Sequence, residues 1–174
     1  LHYLEGNWYV YFAADDGNNN THRMWVLRGD TQDPQGAYTF MGKICDPTND
    51  RWAIDGTVLS MDNGQNYFVW SGWEAAVNDR QNIYIAPMSN PWTISGNRVL
   101  ISTPTYAWEK TGTPDVNEGP EVLKKEGRVF ILFSASGSWT TSYCLGQLDL
   151  IGTNVLDPAS WVKKDTPVFS SDAG

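Results

Sequence analysis

The sequence predicts an all-β protein of the β-propeller kind, and three observations carry that prediction. A strand unit recurs along the whole chain, turn residues punctuate it throughout, and aromatic residues are abundant. The 174 residues include 16 Gly and 9 Pro together with 9 Trp, 8 Tyr and 6 Phe, whereas charged residues make up only 18%. That charged share lies below the usual value of about a quarter. No helical period of comparable strength interrupts the strand pattern.

Each unit opens on a glycine that follows an acidic residue or Asn. The three openings are Gly6-Asn7-Trp8-Tyr9-Val10-Tyr11-Phe12, Gly64-Gln65-Asn66-Tyr67-Phe68-Val69-Trp70 and Gly127-Arg128-Val129-Phe130-Ile131-Leu132-Phe133. An acid-glycine or Asn-glycine step before an aromatic, β-branched run signals a hairpin turn leading into a buried strand. A second strand follows each one: Arg23 to Leu27, Asn82 to Ala86 and Tyr143 to Leu148. Then comes a proline turn with a nearby aromatic: Asp33-Pro34 before Tyr38, Asn90-Pro91 before Trp92, and Asp157-Pro158 before Trp161. Proline sets the turn, and the aromatic returns the chain to a strand.

The glycines lie 58 and 63 residues apart. A period of about sixty residues with about four short strands describes a propeller blade with long loops. On this reading the single domain 1–174 is a partial propeller, with blades at 1–48, 49–103 and 104–174. A β-sandwich with coincidental turn spacing is the rival architecture. Propellers close with about four to eight blades, so three blades predict a fragment of a longer domain or closure by self-association through open blade edges. The opening residues are expected to start just before a blade's second strand, and Pro167-Val168-Phe169 ends the chain as a strand-like run.

Twelve basic against twenty acidic residues give a net charge of −8. That balance argues against a nucleic-acid partner, whose affinity rests on basic groups neutralising phosphates. The longest apolar run, near Val129 to Phe133, is far shorter than the ~20 residues of a membrane helix, so no membrane partner is expected. Leu1 opens directly into patterned sequence, with no charged-then-apolar leader before it. Cys45 and Cys144 are far apart and signal neither a disulfide framework nor a zinc site. Asn19-Asn20-Thr21 forms one glycosylation sequon, relevant in a secreted protein.

The repeat register singles out two acids. Asp55 lies nine residues before Gly64, Glu118 lies nine before Gly127, and each precedes a glycine. Equivalent positions of neighbouring blades sit at one height around the axis, so the two carboxyl groups are expected to face one cleft. Paired carboxyls whose surroundings set different protonation states suit acid–base chemistry. The competing reading makes Asp55-Gly56 and Asn117-Glu118-Gly119-Pro120 plain turns. Trp52, Trp73, Asn117 and Tyr106 are candidate sugar contacts, with inter-blade packing as the alternative for the tryptophans and turn fixing for Asn117. Trp70 reads as core, Cys144 as a small buried hydrophobe, His2 and His22 as structural, and no metal ligands are assigned.

These residues also carry a resemblance. His22-Arg23-Met24-Trp25-Val26-Leu27, Trp52-Ala53-Ile54-Asp55-Gly56-Thr57, Val69-Trp70-Ser71-Gly72-Trp73, Ile83-Tyr84-Ile85-Ala86-Pro87-Met88, Val116-Asn117-Glu118-Gly119-Pro120-Glu121 and Tyr143-Cys144-Leu145-Gly146 resemble glycoside hydrolase family 43. The likeness covers essentially the whole chain and is strongest toward exo-acting α-L-arabinofuranosidases. It implies part of a five-bladed propeller that hydrolyses terminal α-L-arabinofuranosyl residues of arabinan or arabino-oligosaccharides with inversion. It further implies Glu118 as general acid and Asp55 as the group that raises and orients it. The family's general base, an Asp on the first blade, has no counterpart here, since the chain matches blades two to four.

An extracellular location follows from the same likeness. No cofactor is required, although the resemblance allows an axial calcium or sodium ion in a complete propeller. A β-xylosidase of the same family and a non-catalytic carbohydrate-binding propeller fragment are the alternative functions.

Overall fold

Glycine-led hairpins start all three sheets of the computed structural model, which describes residues 1–171. In the first sheet β1 (His2–Leu4), β2 (Asn7–Ala14), β3 (Arg23–Gly29) and β4 (Tyr38–Ile44) pair antiparallel in sequence order. Glu5 and Gly6, between β1 and β2, both have positive φ (49° and 81°). Two such residues build the tight hairpin turn whose twist matches the strands. Glu126 and Gly127 repeat the device at 52° and 73°, between β10 (Asp115–Lys125) and β11 (Arg128–Ala135).

The second sheet contains β5 (Ala53–Ser60), β6 (Asn66–Gly72) and β7 (Arg80–Asn90), with β8 (Thr93–Ile94) and β9 (Val99–Ser102) both on β7. The third continues from β10 and β11 through β12 (Cys144–Leu150), which pairs with both β13 (Trp161–Lys163) and β14 (Phe169–Ser170). A short parallel register, Asp115 with Arg80 and Val116 with Gln81, ties the third sheet to the second.

Strand alternation explains how the sheets stack as propeller blades. On β6 and β7, Phe68, Trp70, Tyr84, Ala86 and Met88 pack with Tyr9, Met24 and Val26 of the first sheet. The alternate residues Val69, Ile83 and Ile85 pack with Ile131, Phe133 and Leu148 of the third. Period-two side-chain direction therefore buries the middle blade on both faces. Trp70 and Cys144 lie within these cores.

His2–Leu4 forms a three-residue strand immediately before β2, with His2 opposite Tyr9. Two local expectations are corrected. Asn90-Pro91-Trp92 does not lead straight into the fourth strand. It closes a β7–β8 hairpin in which Met88 pairs with Ile94, and the fourth strand is β9. Tyr143, read with its neighbours as strand, ends the loop that precedes β12.

Candidate active site

Register defines one end of the molecule as the site face. Ala53 at the start of β5 lies opposite Gly72 at the end of β6, and Asn117 near the start of β10 lies opposite Ala135 at the end of β11. The segments Asp15 to His22, Trp73 to Asp79 and Ser136 to Tyr143 therefore turn at this end. The glycine hairpins occupy the other.

Neither acid sits in a hairpin turn: Asp55 lies within a β-bulge, and Glu118, still paired with Ser134, borders the next one. Pairing slips between Ile54 and Thr57 on β5, and between Glu118 and Glu121 on β10. Asp55 and Gly119 both have φ of 55°. A bulge breaks alternation and re-aims a side chain, which turns Asp55 toward the neighbouring strand β10. The two bulges also touch, because the Gly119 N–H donates to Asp55 Oδ2 at 3.0 Å.

The carboxyl groups are tuned upward by different means. Asp55 reaches solvent, yet the protein around it makes desolvation dominant and pushes its pKa above the usual value, opposed by the Gly119 hydrogen bond. Burial also pushes Glu118 up, the Tyr143 hydroxyl opposes it, and the charge of Asp55 adds to the rise. Tyr143 Oη donates to Glu118 Oε1 at 3.1 Å. Its own pKa is raised, chiefly by burial, against a hydrogen bond with Ser134. A carboxyl group pushed upward by a buried setting and an adjacent negative charge keeps its proton to higher pH.

Asp55 and Glu118 are thus brought together, while the four expected sugar contacts fare differently. Trp52 and Trp73 stack on one another with ring centroids 4.8 Å apart and 8° between planes. They are only 5% and 2% exposed, which leaves no ring face for a sugar in this conformation. Trp52 Nε1 donates to the Asn19 carbonyl at 2.6 Å, fastening the Asp15–His22 segment to the second blade. Asn117 is fully buried and spends its side chain on Ser102, Glu109 and its own neighbour's carbonyl. Tyr106 is half-buried against Trp108, with the Lys163 ammonium 5.8 Å from its ring centre.

His2 bonds Thr57 Oγ1 at 3.1 Å and meets Tyr11 edge-on. Its pKa is pushed down to about 4, mainly by burial, so the ring is neutral near neutral pH. His22 Nδ1 lies 3.0 Å from Asp15. Among the described residues no group of three or more His, Cys, Asp or Glu is arranged to hold a metal ion, and no helix is long and apolar enough to cross a membrane. Tyr143, Ser134, Glu109 and Lys163 escaped the sequence reading. The last two are 54 positions apart, and no local spacing announces them.

Fold and site together define a class: a β-propeller in which two upward-tuned carboxyl groups meet where neighbouring strands β5 and β10 touch. The chain belongs to glycosyl hydrolases family 43, whose family model matches residues 1–174. It is 38% identical over 175 residues to "Alpha-L-arabinofuranosidase 43" of Humicola insolens, covering 99% of this chain and 36% of that protein. It is likewise 38% identical to an "Extracellular exo-alpha-(1->5)-L-arabinofuranosidase" of Streptomyces avermitilis, covering 98% of this chain and 35% of that one. Among solved structures, an alpha-L-arabinofuranosidase from Lactobacillus brevis superposes with a TM-score of 0.87 at 38% identity. That match covers 98% of this chain and 55% of the other. The chain spans about a third of the length of these curated relatives.

Proposed function

We propose that this chain supplies the acid-bearing part of an extracellular, exo-acting α-L-arabinofuranosidase. It would release terminal arabinofuranosyl residues from arabinan or arabino-oligosaccharides with inversion of configuration. The observation that carries the reading is the junction of the two bulges, where Asp55 accepts the N–H beside Glu118 and its charge lifts the Glu118 pKa. The names of the relatives, two of them extracellular arabinofuranosidases, support the substrate class and the location.

The chemistry is a single displacement. Glu118, protonated, gives its proton to the departing glycosidic oxygen. Asp55 stays ionised, discourages loss of that proton beforehand, and helps hold the bulge that aims the acid. A carboxylate on the far side of the sugar takes a proton from water as the water attacks. In inverting enzymes the acid and base stand about 6.5–9.5 Å apart to admit that water. We place this base outside the present chain.

Arabinose release from an α-1,5-linked arabino-oligosaccharide, wild type beside Glu118→Gln, tests the reading. Sodium azide, a nucleophile that requires no deprotonation, should raise turnover of the chain alone, read as the shortened oligosaccharide, with the departing sugar released as its inverted azide. A glycosidic leaving group needs the acid, so azide should not rescue Glu118→Gln. Equal turnover in the two proteins, or a product of retained configuration, refutes the proposal.

A further inference from the structure

Behind Glu118 lies a buried polar cluster that the displacement chemistry does not use. Glu109, in the short helical turn Ala107–Glu109, is fully buried. Its Oε2 accepts the N–H groups of Thr105 and Tyr106 at 2.7 and 2.8 Å. Its Oε1 accepts Lys163 Nζ at 2.7 Å and Asn117 Nδ2 at 2.9 Å. The Lys163 side chain is only 12% exposed, and its ammonium also donates to the Thr103 carbonyl at 2.6 Å. Outer strand, inter-blade connection and inner strand thus meet at one ion pair.

Such a pair is a poor device for stability alone. Desolvating both charges consumes most of their attraction, and apolar residues of similar volume often serve as well or better. The pair instead converges on one amide. Asn117 gives Nδ2 to Glu109 and to the Val116 carbonyl, receives Ser102 Oγ on Oδ1 at 2.7 Å, and receives Ser71 Oγ on its backbone carbonyl at 2.9 Å. The next residue is Glu118, the last to pair, with Ser134, before the register breaks until Glu121. A bulge lacks regular ladder bonds to fix it, so its orientation depends on what holds its first residue.

We propose that Glu109 and Lys163 are positioning residues: together they lock the Asn117 amide and thereby fix the strand end, bordering the bulge, from which Glu118 projects. This rests on the reading of Glu118 as the general acid. Neither residue touches substrate; both act through Asn117.

The test uses Glu109→Gln, Lys163→Met and the double variant Glu109→Met/Lys163→Met. Three readouts are needed: thermal stability, the Glu118 titration followed by carboxyl carbon NMR, and kcat with KM for azide-assisted cleavage of the arabino-oligosaccharide. The single variants should move the Glu118 midpoint and lower kcat about 10- to 100-fold with KM nearly unchanged, as expected when a reacting group is misplaced. The double variant should recover thermal stability but neither the midpoint nor kcat. Recovery of midpoint and kcat together with stability would reduce the pair to a structural anchor and overturn the proposal. So would an unmoved Glu118 midpoint in folded single variants. Failure of the acid reading shows separately, as turnover that survives Glu118→Gln, and the NMR midpoint still reports on the pair in that case.

Discussion

Asp55 and Tyr143 pull Glu118 in opposite directions, and that opposition gives the site a directional test. Asp55→Asn removes a nearby negative charge, so the Glu118 pKa falls and the alkaline limb of the activity profile moves to lower pH, with reduced activity. Tyr143→Phe removes a hydrogen bond that favours the ionised carboxyl, so the same limb moves to higher pH. Rate-against-pH profiles of the two variants should therefore shift apart. Shifts of the same sign would refute the assigned roles.

A second consequence concerns stability. Both folded-state pKa values lie above the ordinary 3.8 of Asp and 4.5 of Glu. A raised acid contributes stability that is fully present below its unfolded value and is lost as pH rises through the folded one. Glu118→Gln should thus melt higher than wild type near neutral pH, and the gain should disappear below the ordinary carboxylate range. Thermal melts across that range check the sign.

Among the strands and turns, positive φ is the feature that the sequence signals, and two kinds of structure use it. Glu5-Gly6 and Glu126-Gly127 use it for hairpins, as their spacing before aromatic strands announces. Asp55 and Gly119 use it for bulges, although Asp55-Gly56 has the same local signature as a hairpin. A residue pair signals only its own backbone preference; the partner strand decides whether the chain reverses or bulges. Gly56 adds a close approach, since a Cβ there would fall 2.2 Å from Phe68 Cζ and 2.9 Å from Met24 Cε. Gly56→Ala should cost about 1–3 kcal/mol by overpacking and disturb Asp55 beside it. Denaturant unfolding measures the first effect, and the pH profile reports the second.

At the scale of the molecule, the middle blade is covered on both faces and each outer blade on one. On the first blade, Val10, Leu27 and Phe40 lie in one cross-strand row, with Phe12 and Trp25 in the next. This face turns away from the Tyr9–Met24 core. Phe40 is 58% exposed and Tyr3 50%. An apolar sheet face of this kind favours association. Sedimentation velocity on the chain alone should show a mass that rises with concentration, and Phe40→Lys should suppress the rise. A monomer throughout would mean that these side chains do not drive association.

Strand identity and the recurring unit were legible because each leaves a local or periodic trace: a turn glycine and alternating apolar residues. The offset of nine drew attention to Asp55 and Glu118, but strand pairing makes Asp55 the counterpart of Gly119, one position further on. The pattern also announced that Trp70 belongs to a core. It did not reveal that Trp52 and Trp73 consume each other's faces, that Asn117 is sealed behind the acid, or that Tyr143 lies in a loop from which it reaches Glu118. Nor did it join Glu109 to Lys163. By itself the sequence determined the repeating unit, since that depends on neighbours along the chain. The tertiary structure decided which side chains tune and hold Glu118, because those contacts exist only once separate blades are stacked and their burial sets the cost of every charge.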